Sequence, residues 1–203
     1  MTETRQKRAG GRRPGVSGTR ESILGAAQQS FAEHGYLATT IRGVASAAGV
    51  DPALVLQFFG SKDGLFDAAL RADPPTRDLA SLVREGAVDD LGERLLRRYL
   101  ELWEAPVTGA RLLAVVRGAS ASPSASAMVA AFMADEVMLP LARAIGADRA
   151  GLRANLTGAH LLGVATARYV LRVEPLASLE REDLIAILAP MVQRHLTGDL
   201  DRL

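Results

Sequence analysis

The chain has 203 residues, 48% of them hydrophobic and 23% charged, with a formal net charge of +1. That balance describes one domain, or one small and one medium domain, with a real core, and it excludes wholesale disorder, which needs low hydrophobicity and high net charge. The absence of cysteine excludes disulfide scaffolds, cysteine-ligated zinc, iron–sulfur clusters and thiol catalysis.

Aromatics at 4%, beside abundant Ala, Leu, Val and Arg, favour helices over strands. The charge is unevenly placed. Residues 1–20 hold six basic side chains against Glu3, whereas residues 21–72 hold three against five acids. Positive charge gathered in the first 20 residues points to a polyanionic partner. No apolar run reaches the ~18 residues that suggest a membrane span, and no apolar stretch follows the basic start. A cytoplasmic location without membrane contact is therefore expected.

Residues 1–18 are polar, Gly-rich and basic, without apolar periodicity, and read as a disordered arm. From Thr19 an apolar stripe begins: Ile23, Ala27 and Phe31 at i, i+4, i+8, with Leu24 adjacent. Thr19 is the expected N-cap, Glu21 suits the first turn, and Gly35 is the expected stop. Thr40 can cap a short second helix with Ile41, Val44, Ala45 and Ala48 on its buried face, ended by Gly49. Asp51-Pro52 then opens a third helix, since Asp caps well and Pro suits the first helical position. Val55 and Phe59 share a face of it, and Gly60 ends it. Ser61 caps the next, whose apolar side is Leu65, Phe66 and Ala69.

Two short helices separated by a tight Gly-containing break describe a helix-turn-helix. Ala45 and Ala48 are small enough to let the second and third helices approach, and Gly49 suits a left-handed turn. The double proline of Asp73-Pro74-Pro75 cannot continue a helix and marks the domain boundary. Beyond it a weak short helix covers 76–86. A striped helix with Leu91, Leu95, Leu96, Tyr99, Leu102 and Trp103 runs to Pro106. Another spans 108–120, and one opens at Pro123 with a kink expected at Pro140. A long helix covers about 148–173. A last helix, capped by Ser178, reaches about Leu196, with a second kink expected at Pro190. The fold class is all-α: a three-helix helix-turn-helix domain over 19–73, then a larger helical domain over 74–203.

The run from Gly35-Tyr36 through Thr39-Thr40-Ile41-Arg42, Ala48-Gly49-Val50-Asp51 and on to Phe59-Gly60-Ser61-Lys62-Asp63-Gly64-Leu65 resembles the N-terminal domain of TetR-type (tetracycline-repressor-like) bacterial transcriptional regulators. The similarity covers roughly residues 19–72. The later helices fit that family's ligand-binding and dimerising domain in number and order, without a motif of their own. The resemblance implies a homodimer whose recognition helices enter successive major grooves of a near-palindromic operator in double-stranded DNA. It also implies a small-molecule effector that changes the spacing of those helices, most often to release a repressor. No cofactor and no metal are expected.

On that placement the helix opening at Pro52 lies in the major groove. Pro52 and Ala53 can touch thymine methyls, and Gln57 can read an adenine edge, if it is not simply solvated. Arg42 matches a position that contacts bases or phosphates in the family, against the plainer reading of a surface arginine. Lys62 at a helix start opposes the helix dipole, a conflict that a phosphate beside the exposed N–H groups removes. Thr40 can present its hydroxyl and N–H to a phosphate, although capping explains it nearly as well. The family usually has a tyrosine where this chain has Leu56, and often a histidine where it has Phe58. Leu56 then packs on base methyls or sugars, and Phe58 turns toward the core. Arg12 and Arg13, flanked by flexible glycines, suit a narrow minor groove, the alternative being a solubilising tail.

In the C-terminal domain, Leu152, Leu156, Ala159, Leu162, Gly163, Ala167 and Val170 mark a helix of ~34 Å over 151–173, and Leu184, Ile187, Leu188, Met191 and Val192 mark the last helix. Two such helices docked on a two-fold copy make a four-helix bundle; the alternative is burial within their own domain. Tyr99, Trp103, Met128, Phe132 and Met133 are candidate pocket residues, with Arg117, Asn155 and His160 as polar anchors, although each also reads as ordinary core or surface. Their apolar bias favours a hydrophobic or amphipathic effector. Catalysis lacks a positioned nucleophile or base: His34, His160 and His195 lie far apart in sequence, and no nucleotide-binding or nucleophile-elbow motif is present. The other rival is a helical dimeric interaction or ligand-sensing protein that has lost operator binding. Deleting residues 1–17 should shallow the slope of log DNA affinity against log salt by several units per dimer, each phosphate contact contributing roughly one; an unchanged slope would count against an arm–DNA contact.

Overall fold

A computed structural model describes residues 16–72, 77–119 and 122–200. Arg12 and Arg13 of the arm and the Asp73-Pro74-Pro75 boundary lie outside the described residues. Those described form helices and no strand.

Helix α1 runs Val16–Ala38, broken at Gly35, whose φ of 75° and ψ of 175° are not helical. Gly35 therefore interrupts the helix as expected, but the start differs. Three residues assigned to the arm are helical, and Thr19 sits inside the helix rather than capping it. Its caplike side chain meant little, because a threonine hydroxyl can equally sit inside a helix and no proline stands between Val16 and Gly35. Helices α2 (Ile41–Ala48), α3 (Pro52–Phe59) and α4 (Lys62–Arg71) follow. The weak helix after the boundary is 3-10 over Arg77–Arg84, and a short 3-10 turn Val88–Asp90 leads into α5 (Leu91–Glu104). Pro106 both stops α5 and opens α6 (Pro106–Ala119), since its missing N–H costs nothing at a first helical position.

Helix α7 (Pro123–Phe132) is capped by Ser122 and continues through a π-helical stretch, Met133–Met138, into α8 (Leu139–Ile145). The irregularity expected at Pro140 takes this form, a widened turn just before a residue that cannot donate to the helix. The expectation of no membrane-length apolar run needs one correction. Pro123–Ile145 is long and apolar enough to cross a membrane by length and composition. Asp135 and Glu136 at its middle break any unbroken run, which is why a search for continuity passes over it. The expected long helix is shorter: α9 ends at Ala165 after Ala150–Ala165, and a π turn Thr166–Val170 closes it. Ser178 does not cap the last helix. Its hydroxyl donates to Glu174 Oε2 at 2.6 Å, and α10 starts later, at Arg181–Thr197, continuing through Pro190.

The two expected domains share one continuous apolar core. α6 lies along α1, and Phe31 and Tyr36 meet Phe66 edge-on at 4.9 and 5.1 Å between ring centroids. Gly118 of α6 lies over this cluster: an added Cβ there would touch Tyr36 at 3.4 Å and Phe66 at 3.5 Å, so a longer side chain would push α6 away. α10 packs along α5 still more closely, and an added Cβ at Gly92 would lie 2.6 Å from Gln193 N and 2.8 Å from Ala189 O. The buried Arg153 ties α9 to α10, pairing with Asp148 at 2.6 Å and donating to the His195 carbonyl at 3.1 Å.

Polar contacts reinforce the junction of α1 and α4. The Tyr36 hydroxyl donates to Asp63 Oδ1, and Lys62 Nζ donates to the Leu37 carbonyl at 3.1 Å while standing 4.5 Å over the Tyr36 ring. The Tyr36 hydroxyl, then Ser124, hold the Asp63 carboxyl below its ordinary range. Burial, then Asp63, pushes the Tyr36 hydroxyl up. Because Asp63 titrates lower folded than unfolded, its stabilising contribution is complete above the ordinary value of 3.8 and drains away as pH falls below it. Tyr36→Phe should therefore lower unfolding stability most at neutral pH, with the two curves converging in acid; urea denaturation across pH checks this, and a constant offset would contradict it.

Candidate nucleic-acid interface

The turn between α2 and α3 is built as the spacing predicts. Thr40 Oγ1 accepts from Gly43 N at 3.0 Å, and Asp51 Oδ1 accepts from Ala53 N at 2.7 Å. Gly49 is left-handed at φ 68° and ψ 33°, and its N–H returns to the Ala45 and Ser46 carbonyls. Val50 N also donates to Ala45 O at 2.9 Å, so the end of α2 is satisfied before the chain turns. Val44, Ala45 and Val55 are fully buried and lock the inner faces of the two helices against α1 and α4. Ser61 Oγ accepts from Gly64 N at 3.0 Å and fixes the start of α4.

Burying Val55 turns the opposite face of α3 outward. Ala53, Leu56 and Gln57 are exposed there, Leu56 at 45%, and Pro52 is half-buried. Arg42 is exposed on α2 and has no partner among the described residues. Phe58 is half-buried and packs against the core beside Phe59, whose ring lies 5.4 Å beneath Arg20. The two threonines split their work. Thr39 is buried with its hydroxyl on the Ser30 and Gly35 carbonyls, while Thr40 is exposed. Lys62 is half-buried over Tyr36, and partial burial pushes its pKa down. Arg42, Ala53, Leu56, Gln57 and the Thr40 cap thus lie on the exposed side of α2 and α3. Lys62 reaches instead toward the end of α1.

The sequence-derived effector residues do not converge on one place. Tyr99 and Trp103 are buried on α5, with Trp103 stacked on Tyr169 at 5.2 Å and 4°. Burial raises the Tyr99 hydroxyl well above its usual value. Met128 is half-buried on α7. Arg117 is exposed on an outer groove beside His34 and Tyr36. Asn155 is exposed and donates to its own helix at Gly151 O, 2.9 Å away. His160 packs edge-on against His195 at 5.3 Å. Phe132 and Met133 do line an apolar cavity of ≈ 80 Å³ between α1, α4, α6 and α7. Its other walls include Phe31, Phe66, Leu112 and Val115, with Gln28 and Arg111 its polar members. Helical periodicity placed Phe31 and Phe66 as core, but nothing in it shows that two core stripes leave a gap where they meet.

Leu152 on α9 and Ile187 and Met191 on α10 are 49%, 59% and 52% exposed. Leu184 and Val192 face inward and are buried. The last helix therefore has two apolar sides, one of them uncovered in a single chain.

The profile for bacterial regulatory proteins of the tetR family matches residues 23–69, the unit just described. The profile for the tetracyclin repressor-like C-terminal domain matches residues 89–196. The HTH-type transcriptional repressor Rv3405c of Mycobacterium tuberculosis is 41% identical over 78 residues, 38% of this chain and 40% of that protein, so the chain spans well under half of this curated relative. A TetR-family regulator from Streptomyces coelicolor A3, SCO0857, is 35% identical over 92% of this chain and 99% of its own, with a TM-score of 0.56. Salmonella enterica GusR shares the fold, at 21% identity and a TM-score of 0.66 over 91% of this chain and 98% of its own. With both halves matched and a relative similar along nearly its whole length, the chain belongs to the tetR family of bacterial regulatory proteins.

Proposed function

We propose that the chain is a sequence-specific DNA-binding transcriptional regulator, a ligand-released repressor that reads a palindromic operator as a homodimer in the cytoplasm. One observation carries the reading. A capped helix-turn-helix presents Ala53, Leu56 and Gln57 on the outer face of a helix whose inner face buries Val55 completely. Such a face suits a major groove: Ala53 and Leu56 meet thymine methyls and sugars, and Gln57 reads an adenine. Arg42 supplies a phosphate contact, and the N-terminal basic residues add a minor-groove contact. Lys62 reaches a phosphate only by leaving the Leu37 carbonyl.

Dimerisation uses α9 and α10, where Leu152, Ile187 and Met191 find partners on a two-fold copy. The effector enters between α1, α4, α6 and α7. At ≈ 80 Å³ the cavity is well below the ~300 Å³ of ordinary ligand sites. Binding therefore separates α4 from α6 and α7, and α4 carries α2 and α3 with it. The exposed Leu56, standing where the family usually has a polar DNA contact, favours a second reading, a dimeric ligand sensor with weak operator binding.

Selection of bound duplexes from random DNA separates the two. The regulator enriches inverted repeats whose half-sites lie about 34–36 Å apart or multiples of that. Gln57→Ala should then cost roughly 1–3 kcal/mol at one base pair and relax preference there, while Arg42→Ala weakens all sequences evenly and reduces the salt slope by about 1 per protomer. No enrichment by the folded dimer would leave the sensor reading.

A further inference from the structure

We infer that the cavity between α1, α4, α6 and α7 takes an amphipathic organic anion, a carboxylate on a small apolar body, recognised by the guanidinium of Arg111; this rests on the reading of that cavity as the effector site. Arg111 borders both the inner cavity and an open groove along the outer side of α1. Gln28 and Ala32 share that double position, so the three residues form the throat joining the cavity to solvent.

The two polar residues of the inner wall are in different states. Gln28 is engaged: its Nε2 donates to the Ala69 and Ala72 carbonyls at 3.1 and 2.6 Å, holding the last turn of α4. Arg111 is half-buried and has neither a hydrogen bond nor an ion pair among the described residues. Other partly exposed arginines, Arg71, Arg97 and Arg181, each hold a carboxylate. The acid on the outer groove, Glu33, instead accepts from Gln29 Nε2 at 2.9 Å. A guanidinium presents five donors in a planar fork, and a carboxylate matches two of them at once. Leaving that fork half-desolvated and unmatched is unfavourable, and an anion arriving at the throat removes the penalty.

The rest of the ligand is set by the wall behind Arg111. Phe31, Phe66, Leu112 and Phe132 offer no hydrogen bond, so the buried part is hydrocarbon. The volume of ≈ 80 Å³ is about half the ~150 Å³ that accepts a benzene ring. A body of a few carbons fits with modest opening.

Hexanoate, hexan-1-ol and hexylamine share one tail and differ in the head, and their binding to the full chain can be followed by calorimetry. Hexanoate should bind wild type at least tenfold tighter than the other two. Arg111→Gln should weaken hexanoate roughly ten- to a hundredfold, the loss of a charge-assisted pair, and leave hexan-1-ol unchanged. Arg111→Lys, which keeps the charge and loses the fork, should fall between. Equal binding of hexanoate and hexan-1-ol, or hexanoate indifferent to Arg111→Gln, would overturn the anion while leaving the cavity as the effector site. Ala114 also lines the cavity, so Ala114→Phe, filling it, should abolish binding of hexan-1-ol as well. Tail binding that survives it, or no binding of any of the three to wild type, would overturn the cavity reading and this inference together.

Discussion

Everything in this molecule depends on how α6 lies against α1. The contact is apolar, and it joins the helix that anchors α2 and α3 to the first long helices of the C-terminal half. Phe31, Tyr36 and Phe66 form its aromatic centre, and Gly118 lets α6 come close enough to touch them. Burying such rings contributes far more than the exposed ion pairs around them, since a fully buried large apolar side chain is worth ~1.5–3 kcal/mol and a surface pair ~0–1. The Arg71–Glu136 pair, 2.7 Å long and partly exposed at both ends, orients α4 against the π-helical turn rather than holding the halves together.

With the cavity as the proposed effector site, its place inside that junction has a mechanical consequence. Its walls come from α1 and α4 on one side and from α6 and α7 on the other, so whatever enters it acts on the junction itself. α4 ends where Gln28 grips it and begins where Asp63 meets Tyr36. A ligand that shifts α4 thus moves a helix pinned at both ends, and the buried Val44, Ala45 and Val55 make α2 and α3 follow as one piece. In a two-fold dimer a small tilt of each reading head changes their separation twice over.

Local chemistry was legible in the sequence, and distant packing was not. Thr40, Asp51 and Ser61 cap as their residue types predict, and Gly35, Gly49 and Gly60 all take positive φ. Those features need only a few neighbouring residues. Thr19 and Ser178 failed as caps because a hydroxyl can equally sit inside a helix or serve a neighbouring turn, and tertiary context decides. The π-helical turns at Met133–Met138 and Thr166–Val170 leave no periodic trace in one sequence. At the candidate interface, the exposure of Gln57 and Arg42 follows from the burial of Val55 and Val44. Lys62 lying over Tyr36 depends on a contact 26 residues apart in sequence that no local spacing reveals. Arg111 carries no sequence signal for the same reason. On α6 it is one arginine beside apolar residues, and only the packing of α1 makes its lack of a partner meaningful.

The central claim is that the cavity and the reading heads form one mechanical unit in a two-fold dimer. The chain has no cysteine, so Ser46→Cys on the exposed side of α2 places a single spin label on each protomer. Electron–electron distance measurement on that protein should give one narrow inter-protomer distance, shifted when hexanoate is added to saturation. Hexanoate bound with the distribution unmoved would contradict the coupling, and no dipolar signal at all would contradict the dimer.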